Sequence, residues 1–170
     1  PNKKWKKQKL NESWYAGETL ITGIGQGFIL ATPLQLALMT SLIANGGKII
    51  KPTLIKTKID YENPNSKVLK MNVSEDNLNI IKNAMNKVVN EPGGTAYRSR
   101  SNSQDYIYAG KTGTSQVKRI TLEERESEDF RKKEIEWKDK DHGLFVGYMP
   151  VLKPKFAISV VIEHSGSGAA

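Results

Sequence analysis

Two stretches of the chain carry the 3.6-residue periodicity of helices, and three later ones carry the β-branched and aromatic content of strands. Leu34, Leu36, Ala37, Leu38, Met39, Leu42 and Ile43 follow Thr32 and Pro33, an N-cap residue and a first-turn proline, and precede Gly46-Gly47. This predicts a helix from Pro33 to about Asn45, apolar on nearly every side and therefore buried in a larger body. A second helix should follow the cap Ser74, with Glu75 and Asp76 at the positive end of its dipole and Leu78, Ile81, Met85 and Val88 at helical spacing. Pro92-Gly93-Gly94 closes it. Strand formers fill Tyr106 to Val117, Leu144 to Met149 and Phe156 to Ile162. The last two, joined across Leu152-Lys153-Pro154-Lys155, are expected to form an antiparallel hairpin.

The connecting segments read differently. Five lysines surround Trp5 in the first ten residues and suggest a solvated surface arm, and Gly23-Ile24-Gly25-Gln26-Gly27 reads as a glycine-dense turn. Ile49 to Ile59 is expected to be extended, with Pro52 restricting it to a sheet edge, and Tyr61 to Asn65 has the residues of an exposed turn. From Lys118 to His142 charge dominates. The acid-before-base pairs Glu128/Lys132, Asp129/Lys133, Glu134/Lys138 and Glu136/Lys140 favour a solvated helix or helical hairpin inserted between two strands. The expected class is α+β, an antiparallel sheet with flanking helices, with residues 1–170 forming part of one domain and 118–142 a charged insertion. The opening on Pro1 and the stop in Ser165 to Ala170, directly after a strand, read as the ends of a fragment.

Composition narrows the chemistry. The net charge of +8 is spread along the chain without the signature of a nucleic-acid module, so no nucleic-acid partner is expected. The absence of cysteine excludes disulfide frameworks and thiolate metal sites, and two histidines are too few for a zinc cluster without several carboxylates; neither metal nor cofactor is expected. The most apolar window, Phe28 to Ala44, includes Thr32, Pro33, Gln35, Thr40 and Ser41 and falls short of the roughly 20 apolar residues that span a bilayer.

The densest candidate site is Ala109-Gly110-Lys111-Thr112-Gly113-Thr114. On a strand, Thr112 and Thr114 share one side while Lys111 and Gly113 share the other. The hydroxyls suit a substrate carboxylate, Lys111 supplies positive potential, and the missing side chain at Gly113 lets a ligand backbone approach. The Thr114 amide is placed to donate to a developing oxyanion. A nucleophile is harder to find. The one Ser-x-x-Lys spacing, Ser115 to Lys118, continues the same strand, where residues three apart point to opposite faces. Tyr61-Glu62-Asn63 sits in a turn, Asp141-His142 has no serine placed to receive it and suits loop positioning better, and Gly25-Gln26-Gly27 lacks the rest of a nucleotide loop.

A Lys-Thr-Gly triplet is one of three signatures of enzymes that direct an active-site serine at β-lactams and peptidoglycan peptides. With Gly17-Glu18-Thr19, Gly23 to Gly27, Thr32-Pro33-Leu34-Gln35-Leu36-Ala37, Ala44-Asn45-Gly46-Gly47, Lys111 to Thr114 and Asp141 to Tyr148, the chain resembles the transpeptidase domain of class B penicillin-binding proteins over nearly its whole length. The Gly-Ile-Gly-Gln-Gly wording is more similar to elongation-type members than to division-specific ones. The resemblance implies a partial serine β-lactamase-like fold, with the catalytic serine and lysine and the middle motif upstream of Pro1 and a final helix beyond Ala170. What carries over is Lys111 as the catalytic cation, with Thr112, Gly113 and Thr114 binding substrate and Gln116 as a weaker neighbour.

For the parent protein the resemblance implies a serine that attacks the penultimate D-alanine carbonyl of a stem peptide and passes the acyl group to an amine on a neighbouring strand. β-Lactams would mimic the donor. It also implies an anchor in the bacterial inner membrane, a periplasmic body and a membrane glycosyltransferase of the elongation machinery as partner. The fragment alone is expected to be inactive. Two other readings are open: a non-catalytic module holding D-Ala-terminated peptides or a cell-wall assembly partner, and a β-lactamase or carboxypeptidase relative. The last leaves the Gly-Ile-Gly-Gln-Gly and Thr-Pro-Leu-Gln-Leu segments unexplained.

Overall fold

A computed structural model of the chain describes residues 1–55, 69–118, 126 and 135–169. It divides into two compact units, Pro1–Thr32 and Pro33–Ala170.

The first unit corrects the expectation of a solvated arm. The lysine-rich start is a helix, α1 (Lys3–Leu10), and a second helix, α2 (Ala16–Gly23), precedes the glycine turn. Asn2 caps α1 by accepting the Trp5 amide at 2.8 Å. Lys6 is not solvated like its neighbours: it is 2% exposed. Its ammonium meets the carboxylates of Glu18 and Glu12 and lies 4.9 Å from the Tyr15 ring centre and 5.6 Å from that of Phe28. Trp5 and Trp14 pack against the same phenylalanine. A buried ammonium persists because it is paired. In the turn that follows, Gly25 (φ 77°) and Gly27 (φ 73°) adopt left-handed backbone that other residues rarely enter.

The second unit follows the periodicities closely. Helix α3 (Pro33–Ala44) stops where Gly46 and Gly47 turn left-handed, and α4 (Glu75–Asn90) starts at Ser74, whose hydroxyl accepts the Asn77 amide at 3.3 Å. Three antiparallel strands, β1 (Ala109–Ser115), β2 (His142–Met149) and β3 (Phe156–Ile162), form a sheet in the order β1-β2-β3. The expected hairpin is β2–β3, with Gly143 opposite Ile162 and Met149 opposite Phe156. Strand β1 is shorter than expected, because a 3-10 turn occupies Gln104–Tyr106.

The pairing puts Ala109, Tyr148 and Ala157 side by side, and the core gathers Ala44 of α3 and Met85 of α4 on Ala109 and Tyr148. The helices therefore cover that face, α3 against β2 and β3 and α4 against β1. Burial pushes the Tyr148 phenol above its ordinary range. The opposite face carries Phe145, Phe156, Ile158, Val160 and Ile162. Within this chain α3 buries Thr40 and Ala44 and leaves Leu34 and Met39 exposed.

Two expectations lie partly outside the described residues. Of the extended segment 49–59, residues 49–55 form no strand; pairing occurs instead at Lys48, opposite Lys70. Residues 56–59 and the turn at Tyr61 to Asn65 are not described. In the charged insertion, Glu128, Asp129, Lys132, Lys133 and Glu134 are outside as well, and Glu136 pairs with Lys138 at 2.8 Å rather than with Lys140. The three residues Trp137–Asp139 form a 3-10 turn. Among the described residues no helix is long and apolar enough to cross a membrane.

Candidate functional site

Strand β1 begins inside the core and ends at the surface: Ala109 and Gly110 are buried, Thr112 and Gly113 half-buried, and Lys111, Thr114, Ser115 and Gln116 exposed. Its start is fixed by packing. The Phe145 ring lies across Gly110 and Gly147, where a Cβ at 110 would collide with it and one at 147 would come within 2.8 Å. Tyr108 packs edge-on to the same ring and donates its hydroxyl to the Ser99 carbonyl; burial raises its pKa. Among the described residues β1 pairs with β2 alone, so its other edge has no strand beside it.

The cationic and hydroxyl groups sit in the accessible part. Lys111 Nζ donates to the Thr112 carbonyl at 2.7 Å, which folds the ammonium back along its own strand. The Thr112 hydroxyl lies 2.9 Å from that of Thr95. Gly113 is opposite Leu144 and Thr114 opposite Gly143, so the expected alternation of Thr112 and Thr114 against Lys111 and Gly113 is the register observed. The five candidate residues, Lys111, Thr112, Gly113, Thr114 and Gln116, thus lie along one stretch of chain, interrupted by Ser115, on which Lys111, Thr114 and Gln116 are exposed.

The end of this run is tied down by segments that sequence reasoning did not connect with it. Asp141 accepts the Val117 amide on its side chain at 3.1 Å and the Gly166 amide on its carbonyl at 2.8 Å. His142 Nδ1 accepts the His164 amide at 3.0 Å, so that nitrogen carries no proton in this arrangement. The tail then crosses the strand pair. A side chain at Gly143 would strike Ser165, and one at Gly168 would strike the carbonyls of Gly113 and Leu144. Asp141 and His142 therefore join the strand end to the tail. Lys118, the lysine of the Ser-x-x-Lys spacing, is 3.7 Å from the Asp139 carboxylate. Tyr61-Glu62-Asn63 lies outside the described residues.

Residues 2–170 match the family model described as the penicillin binding protein transpeptidase domain. The peptidoglycan D,D-transpeptidase MrdA of Haemophilus influenzae is 33% identical over all of this chain and 26% of its own length. That of Acinetobacter baumannii is 35% identical over 99% of this chain and 25% of its own. The chain thus spans about a quarter of the curated relatives it matches. Among solved structures, Pseudomonas aeruginosa PBP2 in complex with WCK 5153 superposes with a TM-score of 0.77 at 36% identity, covering 100% of this chain and 34% of that one. The complex between penicillin-binding protein PBP2 and MreC from Helicobacter pylori gives 0.72 at 33%, covering 98% and 27%. A family model that covers nearly every residue, and solved relatives of the same fold, place the chain in the penicillin-binding protein transpeptidase domain family.

Proposed function

We propose that this chain supplies one wall of the acyl-transfer cleft of an elongation-type peptidoglycan D,D-transpeptidase, with Lys111 as the cation at the reacting centre and Thr112, Gly113, Thr114 and Gln116 holding the donor peptide. The observation that carries this reading is the course of β1. A lysine and two threonines lie on a strand that is anchored in the core at one end, exposed at the other and unpaired along one edge among the described residues. Such an edge receives an extended peptide through main-chain hydrogen bonds, and threonine hydroxyls and an ammonium on the same strand suit its terminal carboxylate.

The attacking serine comes from sequence outside these residues. Lys118 lies toward Asp139, and although His142 stands opposite Ser115 in the strand pair, its Nδ1 accepts the His164 amide and no hydrogen bond joins it to Ser115 among the described residues. The complete protein forms an acyl-enzyme with D-Ala-D-Ala donors, transfers it to an amine and is trapped by β-lactams. It acts at the periplasmic face of the inner membrane. Its partners there belong to the elongation machinery, a membrane glycosyltransferase among them, and for the Helicobacter pylori relative a complex with MreC is solved.

The test is acylation of the full-length protein by fluorescent penicillin. Lys111→Ala is expected to slow it by about 100-fold or more, the scale of losing a group that stabilises developing charge. Wild-type labelling in a folded Lys111→Ala protein rejects the assignment.

A further inference from the structure

Thr95 lies outside the motif strand yet touches it. Its Oγ1 is 2.9 Å from that of Thr112 although 17 residues separate them in sequence. The backbone around it is fixed on both sides. The Gly94 amide donates to the Glu91 carbonyl at 3.0 Å, the Ala96 amide to Val88 at 3.1 Å and the Tyr97 amide to Gly94 at 3.0 Å. Gly94 admits no side chain, because a Cβ would collide with the Val88 carbonyl, and Ala96 is buried. From the end of α4, Asn90 donates to the Tyr108 carbonyl at 2.9 Å, one residue before β1 begins. The loop that carries Thr95 is therefore fastened to the strand that carries Thr112.

The chemistry follows from counting hydrogens. Each hydroxyl has one hydrogen and two lone pairs. With Thr112 donating across the contact, Thr95 keeps its own hydrogen free, a donor that Thr95→Val removes. Thr95 is exposed and Thr112 half-buried, so a ligand can reach that donor. We propose that Thr95 is a specificity-determining residue which, paired with Thr112, hydrogen-bonds the terminal carboxylate of the D-alanyl donor or the carboxylate of a β-lactam. This rests on the reading of β1 as the donor-binding strand.

The experiment compares acylation of the full-length protein by benzylpenicillin and by its methyl ester, which lacks the anion. Thr95→Val is expected to lower the rate with the acid by roughly tenfold, the scale of one hydrogen bond to a charged group, while the rate with the ester changes less than twofold. Thr95→Ser, which keeps the hydroxyl, is expected to restore the rate with the acid. Equal losses for acid and ester, or no loss for either, overturn the proposal. If Thr95→Val does not fold, Thr95→Ala carries the same comparison. Lys111→Ala separates the two levels: wild-type acylation in that variant removes the underlying site, whereas its loss beside an unaffected Thr95→Val removes only the role of Thr95.

Discussion

Glu18 uses both of its carboxylate oxygens, one toward the Lys6 ammonium and the other toward the Tyr15 amide at 2.7 Å. These bonds, the lysine's first, hold its pKa below the usual glutamate range, and the hydrogen bond to Glu18 in turn raises that of Lys6 against the opposing effect of burial. The depressed carboxylate contributes stability to the first unit that is present above the ordinary glutamate pKa. It is lost as pH falls from the ordinary glutamate range through the lowered folded value. The raised lysine contributes stability below the ordinary lysine range that is lost only above its folded value. Trp5 and Trp14 report on this unit through their contacts with Phe28, once Trp137→Phe removes the third tryptophan. Their fluorescence is expected to show an acid transition below the ordinary glutamate range, and Glu18→Gln is expected to flatten it. An unchanged acid limb in Glu18→Gln would locate the sensitivity elsewhere.

Helix α4 is held by a side-chain hydrogen bond near each end, and the two should fail differently. Ser74 satisfies an amide at the start, while Asn90 near the end bonds to Asn86 and to the Tyr108 carbonyl beside β1. Removing either contact is expected to cost about 1 kcal/mol. Only Asn90→Ala should also slow penicillin acylation of the full-length protein, because it releases the strand that bears Lys111. Thermal unfolding and acylation rates of Ser74→Ala and Asn90→Ala check both parts, and equal acylation in the two variants would refute the distinction. The existence of α4 was legible because Leu78, Met85 and Val88 keep helical spacing after a serine, and the β2–β3 hairpin because strand formers flank a short proline turn. Helix α1 was not legible: its composition is that of a solvated arm, and what removes Lys6 from water is Glu18, 12 residues away. The motif run was readable from local alternation. Thr95, the Gly168 tail and the Asp141 links were not, since each joins the site across a long sequence separation that no period encodes.

At the scale of the whole chain, the sheet has apolar surface that nothing among the described residues covers. Phe156, Ile158, Val160 and Ile162 stand exposed on one face of β3, at 62%, 48%, 42% and 59%, and neither β1 nor β3 has a second partner strand there. Exposed edges with apolar side chains template association with other chains. The curated relatives are about four times as long as this chain, so their additional sequence is long enough to cover such a surface. The 170-residue chain by itself is therefore expected to self-associate and to remain unlabelled by fluorescent penicillin, while the full-length polypeptide is labelled at a serine outside it. Light scattering coupled to size exclusion and gel fluorescence of both proteins provide the check. A monodisperse, unlabelled monomer would favour the binding-module reading, most directly if it held D-Ala-D-Ala peptides and lost them in Lys111→Ala. Stable covalent labelling of the isolated chain would overturn the view that its nucleophile lies elsewhere, because Ser115 would then have to act without the lysine that Asp139 holds.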